Sequence, residues 1–162
     1  MIYILTGDIR TGKTTALHQW ALRRDDVDGI LSPDYHDKRC FVKLRSQQRF
    51  ALEVKNPSES ETVIRVGRFH FLKNAFTEAN SYILSIWKKR TYRYLIIDEL
   101  GKLELKNTGL HHAAKTVIKT HESDEQHHIV LVVRSSLLHE ILAHYTITRF
   151  QWLEKAALGT LQ

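Results

Sequence analysis

The chain has 162 residues, 43% hydrophobic and 26% charged, with a net charge of +6. This is the composition of a globular protein that buries a sizeable core, which excludes disordered and fibrous classes. Cys40 is the single cysteine, so no internal disulfide forms; with no apolar run long enough to span a bilayer and no secretory leader, the reading is one cytoplasmic domain over residues 1–162, with no membrane partner.

Ile2-Tyr3-Ile4-Leu5 is a β-branched and aromatic run, as a buried strand requires. It leads into Gly7-Asp8-Ile9-Arg10-Thr11-Gly12-Lys13-Thr14, which fits the phosphate-binding pattern G-x-x-x-x-G-K-[ST] at every fixed position. Gly7 and Gly12 let the backbone bend so that successive N–H groups face a polyphosphate. In this pattern Lys13 reaches the β- and γ-phosphates and the Thr14 hydroxyl holds Mg²⁺. Asp8, Ile9, Arg10, Thr11 and Thr15 complete the nucleotide-binding segment. Ala16, Leu17, Trp20 and Ala21 then recur at helical spacing, and the helix brings its positive N-terminal end to the loop.

Asp25 to Gly29 reads as a turn, and Gly29 to Pro33 as a strand closed by proline. Arg39 to Leu44 and Arg49 to Val54 read as an antiparallel hairpin around Arg45-Ser46-Gln47-Gln48. Asn56 to Glu61 is a polar loop, and Thr62 to Val66 a further strand ended by Gly67. From Leu72 to Trp87 apolar residues recur every three or four positions, which predicts a helix with a core-facing stripe. Tyr92 to Ile97 is a strand. Leu110, Ala113, Ala114, Val117 and Ile118 mark another helix, with Thr108 as its expected N-cap. Ile129 to Val133 is a buried-type strand, Ser135 to His144 a helix, and Tyr145 to Phe150 a last strand before a short C-terminal helix. Strands alternating with helices imply an α/β fold: a mostly parallel sheet covered on both faces, with Asp34 to Val54 as an antiparallel extension.

Hydrolysis also needs a metal-holding carboxylate and a group that activates water. Tyr94 to Ile97 runs straight into Asp98 and Glu99, which places both acids at the carboxyl edge of the sheet, where open α/β sheets bind ligands. Asp98 is the candidate Mg²⁺ ligand and Glu99 the candidate general base. Arg134 follows the strand Ile129 to Val133, and Arg10 lies inside the loop; each is a candidate cation for charge on the γ-phosphoryl. Neither a zinc-spaced Cys/His cluster nor H-E-x-x-H is present. The doublets His111-His112 and His127-His128 read as solvated, and Cys40 as a buried thiol. The basic groups around Arg23, Lys38 and Lys88 to Arg90 read first as solvated helix ends and only second as a nucleic-acid surface.

With these residues placed, the chain resembles the small P-loop nucleoside-triphosphatase family that includes the cancer-related nucleoside-triphosphatase. The resemblance rests on Thr6 to Thr15, Gly29 to Pro33, Val66-Gly67-Arg68-Phe69, and Ile97-Asp98-Glu99-Leu100-Gly101-Lys102-Leu103-Glu104-Leu105. It implies a RecA-like P-loop three-layer sandwich and Mg²⁺-dependent hydrolysis of ATP, GTP and other nucleoside triphosphates to diphosphate and phosphate, with little base selectivity. It supports Lys13, Thr14, Asp98 and Glu99 in the roles above and suggests that Glu104 belongs near the site. Many members carry glycine where this chain has Arg10. Two other classes stand beside the hydrolase: a nucleotide or nucleoside kinase, against which no long Arg-rich lid occurs between Asp98 and Ile129, and a nucleotide-binding adapter without turnover.

Overall fold

The computed structural model describes residues 1–161. In chain order its elements are β1 (Ile2–Gly7), α1 (Lys13–Ala21), β2 (Val27–Leu31), β3 (Asp34–Tyr35), β4 (Lys38–Lys43), β5 (Gln48–Ala51), β6 (Glu53–Val54), β7 (Val63–Val66), β8 (Phe69–Leu72), α2 (Lys73–Lys89), β9 (Tyr94–Leu100), α3 (Lys102–Leu105), α4 (His111–His121), β10 (His128–Arg134), α5 (Leu138–His144) and β11 (Gln151–Leu153). A 3₁₀ turn at Ser135–Leu137 precedes α5, and a second at Lys155–Thr160 follows β11.

The main sheet runs β11-β1-β10-β9-β2-β4-β3, with β5 added on β4. β11, β1, β10, β9 and β2 pair in parallel, and β4 joins β2 antiparallel. Side chains alternate across the parallel strands, so each apolar run feeds both faces. On one face Ile2, Ile4, Leu95, Ile97, Ile129 and Leu131 pack with residues of α2, α4 and α5. On the other, Leu5, Ile96, Val130 and Val132 pack with Leu17 and Trp20 of α1 and Leu158 of the last turn. The result is a three-layer sandwich whose loops gather at the carboxyl edge.

Several local expectations are corrected. β2 begins at Val27, inside the stretch expected to be a turn, because Gly29 lies flat against the neighbouring strand. Its φ is 140°, and a Cβ there would overlap the Ile96 carbonyl of β9. The expected hairpin forms with Phe41 opposite Phe50, but its second arm stops at Ala51. Glu53–Val54 instead joins β8 and β7 in a separate three-stranded sheet. β8 itself falls where the helical pattern was expected to begin; α2 starts one residue later, at Lys73. Thr108 does not cap α4: its hydroxyl donates to the Leu103 carbonyl, and Leu110 holds the N-cap position. The last strand is Gln151–Leu153 rather than Tyr145–Phe150. Of the histidines expected in solvent, His111, His127 and His128 are half-buried, against Tyr145, against Tyr92, and against Tyr3 and Tyr94. No helix among the described residues is long and apolar enough to cross a membrane.

Candidate functional site

The loop between β1 and α1 is shaped by three residues with positive φ: Gly7 at 149°, Arg10 at 61° and Gly12 at 80°. Arg10 thus occupies left-handed backbone that favours glycine. Its side chain is exposed, and that of Ile9 is too, at 58%. Lys13 is buried at the centre. Its ammonium donates to the carbonyls of Gly7 (3.0 Å) and Asp8 (2.6 Å) and to the Thr11 hydroxyl (3.3 Å). The Thr11 hydroxyl in turn donates to the Asp8 carbonyl. The Asp8 carboxylate accepts from Ser135, just beyond β10, at 2.8 Å. Lys155, in the last 3₁₀ turn, donates to the Thr11 carbonyl. The loop is therefore held from within by Lys13 and from outside by two distant segments.

Asp98 and Glu99 leave β9 toward different neighbours. Strand alternation sends Asp98 to the same face as Ile96, toward α1. There its Oδ2 accepts from the Thr14 hydroxyl at 2.7 Å and from the Ser32 backbone N–H at 3.2 Å. Burial, with the Glu99 charge second, pushes the Asp98 carboxyl up to about 6, while the Thr14 and Ser32 bonds oppose the rise. Between Asp98 and Leu100 the ladder with β10 skips a residue, so Glu99 stands outside the register. Its Oε1 accepts from Arg134 Nε at 2.9 Å, with Arg134 Nη2 at 2.7 Å and Arg39 Nη1 at 3.6 Å.

Ile9 to Thr15, Ser32, Arg39, Glu99 and Arg134 line one cleft of about 680 Å³. Thus Ile9 to Thr15 of the candidate nucleotide-binding segment, the candidate base and the candidate cation share one space; Gly7 and Asp8 do not line it, and Asp98 is buried behind Thr14. Arg39 carries no sequence signal as a site residue, and Ser32 only its place in the Gly29 to Pro33 stretch of the resemblance; their link to Asp98 and Glu99 is made by the pairing of β2 between β4 and β9. Glu104 has a local structural task. It is buried, accepts from the N–H groups of Gly101 and Leu110 at 2.8 Å each, and joins the start of α3 to that of α4. Burial raises its carboxyl, against those two bonds. Cys40 is buried as expected, and burial raises its thiol. Among the described residues no group of three or more His, Cys, Asp or Glu side chains could hold a metal ion.

Over residues 2–155 the chain matches the sequence model of an NTPase family. Its fold matches the crystal structure of THEP1 from the hyperthermophile Aquifex aeolicus, with a TM-score of 0.77 over 100% of this chain and 97% of that one. Sequence identity is 17%, so that likeness is one of fold. No curated protein matches the chain.

Proposed function

The chain belongs to this NTPase family, and from that premise we propose a Mg²⁺-dependent nucleoside triphosphatase that releases diphosphate and phosphate from several nucleotides. The observation that carries the reading is the convergence of the phosphate loop, Glu99 and Arg134 on one cleft, with Thr14 bonded to Asp98 at its floor. A hydroxyl and a carboxylate are hard oxygen donors. They suit Mg²⁺, which takes one or two protein oxygens and completes its shell with phosphate and water. Thr14, and Asp98 through a water, would hold the ion, which when bound neutralises charge on the β- and γ-phosphates.

The remaining work falls to the chain. Backbone N–H groups from Gly7 to Thr14 and the start of α1 bind phosphate, and Lys13 contributes a fixed charge. Glu99 orients the attacking water and takes its proton. Arg134 holds Glu99 by Nε and Nη2, and its other N–H donors, which bond no group among the described residues, can meet charge on the γ-phosphoryl. Each of these contacts addresses phosphate rather than base, which supports broad base use.

The test is phosphate release from ATP, GTP, CTP and UTP with Mg²⁺, comparing the protein with Glu99→Gln. Release from several nucleotides should fall about 10²–10⁴-fold in the variant while binding persists. Tight nucleotide binding with no release from the unmodified protein would overturn the hydrolase reading.

A further inference from the structure

A second cavity, of about 270 Å³, lies on the far side of Glu99. Attack by water does not call for it. Phe41 from β4, Phe69 and Phe71 from β8 and Phe76 from α2 form its walls. Ser32, Arg39, Glu99 and Arg134 line both this cavity and the phosphate-loop cleft, while Lys102 and Glu104 line the cavity alone. A molecule seated among the rings therefore presents its polar end to the carboxylate assigned above to water.

The direction of approach matters. In phosphoryl transfer the attacking and leaving oxygens lie roughly in line on opposite sides of phosphorus. The diphosphate leaves on the side of the Gly7–Thr14 loop, so an attacking group enters from the side of Glu99, where this cavity opens. A triphosphate bound with its γ-phosphate toward Glu99 would carry its base at the opposite end of the phosphate chain, away from this space. Four aromatic rings suit a flat aromatic ligand, whose π-face stacks without regard to which base it is. The volume, near the lower end for ligand pockets, suits a base and sugar rather than a nucleotide with its phosphates. The β7–β8 turn divides the two spaces. Phe69 lines both, Arg68 faces the cleft and Gly67 the cavity.

We propose that the cavity is an acceptor site for a nucleoside, and that the protein transfers the γ-phosphoryl group to the nucleoside's hydroxyl. The inference rests on the phosphate-loop and Glu99 assignments above. The acceptor oxygen forms a bond to the γ-phosphorus as the bond from that phosphorus to the β–γ bridging oxygen breaks. The hydroxyl proton passes to Glu99, and the nucleoside diphosphate leaves with the bridging oxygen's electron pair. Water takes the same position when the cavity holds no acceptor, so hydrolysis and transfer compete.

The experiment supplies γ-phosphate-labelled ATP, Mg²⁺ and, in turn, adenosine, guanosine, cytidine, uridine or thymidine. Products are separated as labelled phosphate and labelled nucleoside monophosphate. At least one nucleoside should become labelled and should lower phosphate release as its concentration rises. Val66 is half-buried on β7 and lines the cavity but not the cleft. Val66→Trp should cut transfer about tenfold or more, while acceptor-free hydrolysis stays within about twofold. The competition in the unmodified protein stands as a test even if that variant misfolds. Phosphate as the sole labelled product, released at a rate no nucleoside changes, would overturn the acceptor site and leave the hydrolase reading intact. Transfer without hydrolysis would do the reverse.

Discussion

The Thr14 hydroxyl donates a 2.7 Å hydrogen bond to Oδ2 of Asp98, across 84 residues of sequence. It joins the first turn of α1 to the end of β9, and it sets side by side the two oxygen donors proposed for Mg²⁺. Asp98→Asn keeps the shape and removes the charge. It should raise the Mg²⁺ concentration needed for half-maximal turnover by about tenfold or more while the fold is kept. A metal titration that overlays the unmodified one would remove Asp98 from the metal site.

Arg134 is tied to Glu99 through two of its nitrogens. Arg134→Ala frees the carboxylate and removes a cation from the cleft, so kcat should fall about 10²–10³-fold with little change in KM. Steady-state kinetics decide the matter: an unchanged kcat would reduce Arg134 to a structural ion pair. Arg39, at 3.6 Å from the same carboxylate, is the built-in comparison.

Gly29 is required by close approach. It pairs with Ile96 in the parallel ladder, and a side chain there would overlap backbone atoms of Ile96. Gly29→Ala should lower unfolding free energy by about 3 kcal/mol, read from urea melts. The strand it would push aside ends one residue before Ser32, whose N–H bonds Asp98. Lost stability should therefore come with weakened turnover.

Stability should also depend on pH through His121, a fully buried residue at the end of α4. Its Nδ1–H donates to the Val117 carbonyl at 2.7 Å, and its Nε2 accepts from the Tyr92 hydroxyl at 3.0 Å, so both ring nitrogens are satisfied in the neutral form. Burial is the main cause that pulls its pKa from 6.5 down to about 4. Between those values the unfolded chain binds a proton that the folded one does not. Stability from this group is whole above about pH 6.5 and lost as pH falls toward 4, an effect of about 3 kcal/mol in all. Denaturant melts from pH 8 to pH 4 should show the fall, and His121→Phe should flatten it. An equally steep profile in the variant would assign the dependence to other groups.

Much of the arrangement was legible in the sequence where one local rule governs. The loop from Gly7 to Thr14 is a complete motif, and the runs ending in Asp98 and Arg134 are apolar enough to be buried strands of a sheet covered on both faces. β8 was hidden because its four residues abut α2 and Leu72 also fits the helical stripe. Ile147 explains the displaced last strand: it is buried by loop packing against the α-helical face, so an apolar residue stood there without a strand. Arg39 and Ser32 were invisible for a different reason. Arg39 has no local motif, the Gly29 to Pro33 stretch assigns Ser32 no role, and each reaches the site only through sheet pairing. Glu104 makes local bonds, to Gly101 and Leu110, and also lines the cavity that Glu99 and Arg134 border, so its place in the family motif and its structural task coincide.

The order of strands has a consequence for synthesis. β1, which carries the phosphate loop, pairs with β10 and β11, whose partners begin at Ile129 and Gln151. β1 thus waits for β10 and β11 before it has a neighbour on either side. Lys155, which holds the loop at Thr11, emerges later still. A nascent chain arrested before residue 128 should therefore fail to be retained on immobilised nucleotide, although its entire binding motif left the exit tunnel long before.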